Sequence, residues 1–201
     1  MSKIFTGLIL FLVASHFAYA KQYTSAYGFT IDVPAHWLVL TPAELKANPD
    51  LFNFDKVDFG KLDKNLLKQV LAKIESGNIE IYFNQKTADT SFADNINILK
   101  QIGKVPVEPA DVKIQCAELG GQLSQYFGHK VNVYQCKVIT FNKQAFFMSE
   151  FDGAMAGTRS IQYQFNVSPS VAIIMTATSK DKTTDVIRTE FDAMIKSVKL
   201  K

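Results

Sequence analysis

The stretch that decides the fold runs from Ser160 to Thr178 and reads S-I-Q-Y-Q-F-N-V-S-P-S-V-A-I-I-M-T-A-T. Between residues 161 and 167, apolar side chains alternate with Gln and Asn, which is typical of a strand with one face in a core and one face in water. Ser-Pro-Ser at 168–170 favours a turn. Val171 to Ala177 is almost continuously apolar, as in a strand covered on both faces. We therefore predict a β-hairpin whose second strand lies centrally in a sheet.

This hairpin is the end of a predicted meander of strands, followed by a closing helix. The strands are expected at about 131–141, 144–152, 159–167 and 171–178. Asn142-Lys143 supplies a tight turn between the first two strands, and residues 153–158 supply a looser one. Apolar residues then recur at helical spacing over 181–198, and Asp181 or Thr183 is expected to cap this helix.

The first half of the chain is expected to alternate strands with helices laid over them. Thr41-Pro42-Ala43-Glu44 is a capping box with Pro at the first helical position, so a short helix should begin there and end before Pro49. The other expected elements are strands at 27–34, 37–40, 78–84 and just after 92, and helices at 62–74 and between Pro109 and Gly128.

The N-terminus has the three parts of a secretory signal peptide. Lys3 is the positive start, residues 4–13 form an apolar run, and Ala18-Tyr19-Ala20 is a small-residue cleavage site. The apolar run is shorter than the roughly 20 residues that a membrane span needs. We predict a signal peptide at 1–20, a single domain at 21–201, and a periplasmic or secreted protein that does not insert in the membrane. A retained N-terminal anchor is the alternative.

The chain has two cysteines, Cys116 and Cys136. An even count in an exported protein favours one disulfide, which would tie the second long helix to the first strand of the meander. The alternative is that both are free and buried. The cysteines and the histidines outside the signal peptide, His36 and His129, have no zinc-type spacing.

Four segments together resemble the PsbP/Mog-like families, and in particular their small exported bacterial members. They read G-F-T-I-D-V-P-A-H-W (28–37), F-A-D-N-I-N-I (92–98), S-I-Q-Y-Q-F-N-V (160–167) and F-D-A-M-I-K-S-V-K (191–199). The resemblance implies an α+β fold, an α/β/α sandwich with a central, mainly antiparallel sheet. Members of this fold mostly bind proteins: some help assemble photosystem complexes, some bind a small GTPase and some act as effector chaperones. The resemblance supplies no catalytic residues.

The residues themselves give little sign of catalysis. We find no nucleophile-elbow, P-loop, dinucleotide-binding or EF-hand motif, so we expect no cofactor or metal. The net charge is only +3 and the lysines are scattered, which argues against a nucleic-acid partner. Asp94, Asn95 and Asn97 form the most motif-like polar cluster. They either satisfy backbone groups at a loop-to-strand entry or lie at the rim of a binding surface.

We therefore expect an exported, non-catalytic protein-binding or assembly module, similar to a chaperone, whose partner is another protein. The candidate binding surface comprises Trp37, Phe52, Phe54, Asp94 and Asn95. Two alternatives stay open. One is a hydrolase that uses Asp and Ser or Thr in a site without a recognisable motif. The other is a small-ligand carrier with the ligand between sheet and helix.

Overall fold

The computed structural model describes residues 20–52, 64–88 and 92–201, so most of the predicted signal peptide and Phe54 lie outside the described residues. The strands are β1 (Ala20–Thr24), β2 (Phe29–Pro34), β3 (Trp37–Leu40), β4 (Glu80–Asn84), β5 (Asn95–Ile102), β6 (Val133–Phe141), β7 (Gln144–Asp152), β8 (Thr158–Ser168), β9 (Val171–Lys180) and β10 (Lys199–Leu200). The helices are α1 (Pro42–Ala47), α2 (Lys64–Glu75), α3 (Pro109–Phe127) and α4 (Thr184–Ser197), with short 3-10 turns at Pro49–Phe52 and Asp181–Thr183.

Seven strands form one antiparallel sheet in the order β3-β4-β5-β9-β8-β7-β6. The C-terminal meander is confirmed, and β9 is the middle strand, paired with β5 on one side and β8 on the other. Asn142 and Lys143 both have positive φ, which is the backbone conformation of a two-residue hairpin turn between β6 and β7. The first hairpin of the meander is therefore as tight as its sequence predicts.

A second, three-stranded sheet in the order β1-β2-β10 was not expected. Its central strand β2 was predicted, but β1 is almost wholly exposed and lacks apolar alternation, and β10 has only two residues. β10 begins directly after α4, so the end of the chain pairs with the opening strand. If a signal peptide is cleaved after Ala20, β1 loses only its first residue.

The main apolar core lies between the seven-stranded sheet, β2 and α4. Its largest fully buried members include Phe29, Tyr163, Phe165 and Phe191. The Phe165 ring centroid is 5.7 Å from that of Phe29, with an edge-to-face geometry, and 5.2 Å from that of Phe146. These contacts join β2, β7 and β8, so one face of the sheet is sealed by α4 and the smaller sheet.

The opposite face carries α3. Consecutive residues of a strand point to opposite faces, so Phe147 and Ala172 face away from the core that holds Phe146 and Ile173. Phe147 and Ala172 pack with Val112 and Cys116 of α3, and Cys116 is bonded to Cys136 of β6. The disulfide prediction is thus confirmed, and the alternative of free cysteines is wrong. Helices on both faces give the expected α+β sandwich.

Two local predictions need correction. Val171 to Ala177 is fully covered on one face only: Ile173, Met175 and Ala177 are buried in the main core. On the other face Ala172 is buried beside α3, whereas Ile174 and Thr176 are only half-buried. In α4, neither Asp181 nor Thr183 caps the helix with its side chain. By contrast, the Thr41 hydroxyl accepts a hydrogen bond from the Glu44 amide, so the predicted cap of α1 is present.

Candidate functional site

Seven neutral polar side chains lie together on one face of the three central strands, and we refer to them as the polar face. They are Asn95 and Asn97 of β5, Ser160, Gln162 and Gln164 of β8, and Thr176 and Thr178 of β9. Strand register aligns them in rows: Asn95, Thr178 and Ser160 form one row, and Asn97, Thr176 and Gln162 form the next. The face therefore exists because period-two alternation in three strands is in phase.

The side chains of the polar face hold one another in place. Gln162 donates through Nε2 to Thr176 Oγ1 at 2.9 Å, and Gln164 donates to Gln162 Oε1 at 2.7 Å. Ser160 and Thr178 share a hydrogen bond of 3.0 Å. Ser160 is buried and the other six are half-buried, so their spare donors and acceptors remain open to solvent or a partner.

Apolar side chains border part of the polar face. Ile174 lies between Gln164 and Leu99 in the next row, and Leu99 is 41% exposed. Phe83 of β4 lies opposite Asn95 and is half-buried. The face has no carboxylate, ammonium, imidazole or thiol group, so it offers hydrogen bonding and contact area. The hydroxyls of Ser160, Thr176 and Thr178 therefore have no general base among these seven residues to activate them.

Of the residues predicted as a binding surface, Asn95 lies on the polar face, where its Nδ2 also donates to the Ala93 carbonyl. Asp94 is 1% exposed, and its Oδ1 accepts from the Lys180 amide at 3.2 Å and from Thr183 Oγ1 at 3.3 Å. Asp94 thus tethers the start of β5 to the turn before α4. A partner could approach beside Asp94 but has little access to its side chain.

Trp37 is likewise buried, at 3% exposure. Its indole Nε1 donates to Glu190 Oε2 at 2.7 Å, and His36 Nε2 lies 3.0 Å from the same oxygen. These contacts fasten the start of β3 to α4. Phe52 ends the short 3-10 turn after α1, and Phe54 lies outside the described residues, so their predicted role in binding stays a prediction.

A cluster of charged residues lies on the α4 side of β7 and β8. The Glu150 side chain is 3% exposed, and its Oε1 accepts from Arg188 at 2.5 Å and from Arg159 at 3.4 Å. Burial acts to lower the pKa of Arg188, but the hydrogen bond and charge of Glu150 outweigh burial, and the pKa is raised. The Arg159 guanidinium also lies 3.7 Å from the centre of the Tyr134 ring. Glu150 therefore acts as a structural tie between β7, β8 and α4.

A second buried acid, Glu80, lies in β4. Its Oε1 accepts from the Ala26 amide at 2.8 Å, while Oε2 has no hydrogen-bond partner. Burial raises the pKa of Glu80, and hydrogen bonds from Ala26 and Ser25 oppose this only in part. Tyr82, two residues along the same face, is fully buried with an unpartnered hydroxyl, and burial together with Glu80 raises its pKa well above the usual range.

A metal site and a membrane-spanning helix are both absent from the described residues. These residues contain no group of three His, Cys, Asp or Glu side chains placed to bind a metal. No helix among them is long and apolar enough to cross a bilayer. An open cleft of about 360 Å³ lies beside α1, lined among the described residues by Pro42, Leu45, Lys46, Pro49 and Glu75.

Comparison with known proteins shows the fold. No protein-family model and no curated protein sequence matches the chain. Among solved structures, cyanobacterial PsbP (CyanoP) from Synechocystis sp. PCC 6803 matches with a TM-score of 0.55 and 9% identity, over 94% of this chain and 96% of that one. The Ran-binding protein Mog1p of Saccharomyces cerevisiae matches with a TM-score of 0.47 and 9% identity, over 90% of this chain and 95% of that one. The match to PsbP confirms the PsbP/Mog-like fold expected from the sequence.

Proposed function

We propose that this protein is an exported, non-catalytic module that binds another protein through the polar face of its sheet. The observation that carries the proposal is the half-buried state of six neutral polar side chains on the three central strands. Central strands of a sandwich are normally covered on both faces, and covered positions are normally apolar. A polar, partly open face at this position is suited to a partner that forms hydrogen bonds with these side chains and covers the rest of the face.

Two further observations support this proposal. The Cys116–Cys136 disulfide fits an oxidising compartment, in agreement with the signal peptide expected at 1–20. The PsbP-like fold belongs to the group whose members, by the resemblance noted in the sequence, mostly bind proteins. The seven residues of the polar face carry no charge, so their own recognition of a partner depends on hydrogen bonds and contact area. We expect the partner to present a neutral polar surface with some apolar area opposite Leu99 and Ile174.

The experiment is capture of partners from the envelope of the source organism on immobilised protein. We expect Gln162→Ala with Gln164→Ala to lose the partner that the wild type retains. The matched control is Gln122→Ala with Gln125→Ala, which removes two exposed glutamines from α3 and should retain it. Circular dichroism of both variants checks that the sheet is intact. Equal recovery by all three proteins would contradict the assignment of binding to the polar face.

A second candidate function, carriage of a small ligand, is favoured by the cleft beside α1. Its volume of about 360 Å³ is within the range of small-molecule sites, roughly 300–1,000 Å³. Leu45, Pro42 and Pro49 give it apolar walls, and Lys46 and Glu75 give it charged groups of opposite sign. Native mass spectrometry of freshly purified protein is the direct test, with Leu45→Trp as the variant that should displace a bound molecule. A single apo mass for the wild type would eliminate this candidate.

A further inference from the structure

The rows of the polar face continue onto β7, next to the strand that the disulfide joins to α3. Ser149 of β7 extends the row of Asn97, Thr176 and Gln162, and on its other side Ser149 lies opposite Cys136. Ser149 is fully buried and its hydroxyl has no hydrogen-bond partner. Buried hydroxyls are nearly always paired, so Ser149 is an unsatisfied group of this row, directly beside the strand that carries Cys136.

The next row also continues under α3. Gln164 lies opposite Phe147, and Phe147 lies opposite Val138 of β6. Phe147 is 1% exposed and belongs to the small apolar cluster that holds α3. Release of α3 would therefore add an apolar patch and a free hydroxyl directly beside the glutamines.

The packing of α3 on the sheet is slight. Only Leu119 of its nineteen residues is buried, whereas α4 buries five of its fourteen residues. Gly120 and Gly121 lie within α3, and each glycine costs about 1 kcal/mol relative to Ala in a helix interior. The half before Leu119 is held by the disulfide and by Val112. The half after Leu119 is held by a different contact: Ser124 Oγ accepts a hydrogen bond from the Val131 amide at 2.9 Å, just before β6.

We propose that the Cys116–Cys136 disulfide is a redox latch that sets the extent of the polar face. When it is oxidised, α3 stays docked; when it is reduced, residues 109–118 leave the sheet and uncover Ser149 and Phe147. This inference rests on the proposed function for its biological meaning, but the release of α3 is testable without any partner.

The chemistry requires a dithiol as the reductant. One thiolate of the dithiol attacks a sulfur of the disulfide, forms a mixed disulfide and releases the other cysteine as a thiolate, which takes up a proton. The second thiol of the dithiol then displaces the remaining cysteine. The protein gains two electrons and two protons, and the dithiol leaves as its own disulfide. Both cysteines are half-buried rather than sealed in the core, so a small dithiol can approach them.

The test is hydrogen–deuterium exchange of the full chain with and without dithiothreitol, with iodoacetamide labelling and mass measurement to confirm that both thiols are free. We expect exchange in residues 109–118 to increase by about tenfold or more on reduction, while β8 and β9 stay protected. Cys116→Ser with Cys136→Ser should exchange like the reduced protein, and reoxidation should restore protection.

A packing variant separates the latch from general weakening of α3. Val112→Ala in the oxidised protein removes a side chain from the same cluster but leaves the disulfide, and should increase exchange in 109–118 much less than reduction does. Unchanged exchange after confirmed reduction would overturn the proposal, and so would simultaneous loss of protection in β8 and β9. Failure of the proposed function would instead appear as partner capture that is insensitive to Gln162 and Gln164.

Discussion

Removal of Glu150 tests whether the charged cluster holds the meander to α4. Glu150→Ala leaves Arg159 and Arg188 without their shared carboxylate. Loss of one member of a buried ion pair costs about 3–5 kcal/mol, since the remaining charge stays in a poorly solvated site. Here the two arginines are 25% and 26% exposed, so water can solvate them in part. We expect the free energy of unfolding to fall by about 2–3 kcal/mol.

The assay is urea denaturation followed by circular dichroism, with Arg188→Ala and the double variant completing a thermodynamic cycle. The double variant also removes Arg188, the guanidinium that lies closest to Glu150. Its loss of unfolding free energy should therefore be smaller than the sum of the two single-variant losses by at least about 1 kcal/mol. The control Glu118→Ala alters an exposed acid on α3 and should change stability by less than about 0.5 kcal/mol. A loss below about 1 kcal/mol for Glu150→Ala, or an additive cycle, would refute the role we give to this cluster.

Three further variants have outcomes set by the structure. Cys116→Ser with Cys136→Ser removes a cross-link between residues 20 positions apart, which frees the unfolded chain. The free energy of unfolding in urea should fall by about 3 kcal/mol, and no change would contradict this. Tyr82→Phe removes a buried, unpartnered hydroxyl, so we expect a stability equal to or up to about 1 kcal/mol above wild type, and a clear loss would show a hidden partner. Glu80 has a raised folded-state pKa, so its contribution to stability is present below the ordinary glutamate range and is lost as pH rises through the folded pKa. Glu80→Gln should therefore gain stability relative to wild type between pH 4 and pH 7 in urea titrations, and a relative loss would reverse the sign.

The strands that could be predicted are those with a strong local pattern. Gln162 and Gln164 alternate with buried Ile161, Tyr163 and Phe165, and that alternation alone indicated the wet face of β8. β1 was missed because its residues are exposed and its pairing depends on β2 rather than on its own composition. A strand stabilised by its neighbours leaves little signal in its own sequence.

The polar face was missed for a different reason. Asn97, Thr176 and Gln162 lie side by side, yet they come from β5, β9 and β8, and nothing local in any strand specifies the register with the others. The closely spaced Asn95 and Asn97 were the one sequence signal for the polar face, and they lie at its β5 edge. Trp37 and Asp94 were predicted near a surface because their partners, Glu190 and Thr183, are far along the chain.

The place of β9 in the sheet also bears on how the chain is assembled over time. Strands β6 to β9 pair with sequence neighbours across short turns, whereas β5 pairs with β9 only after residues 103–170 have been spanned. Local pairings form faster than pairings that close long loops, so the C-terminal hairpins should form before the N-terminal strands find their place. In a protein exported amino end first, as we propose here, the earliest residues to emerge are then the last to fold. The strands within residues 20–102 can pair with one another outside the membrane, but β5 would wait there without β9, and a holding chaperone would be of most use to that open edge.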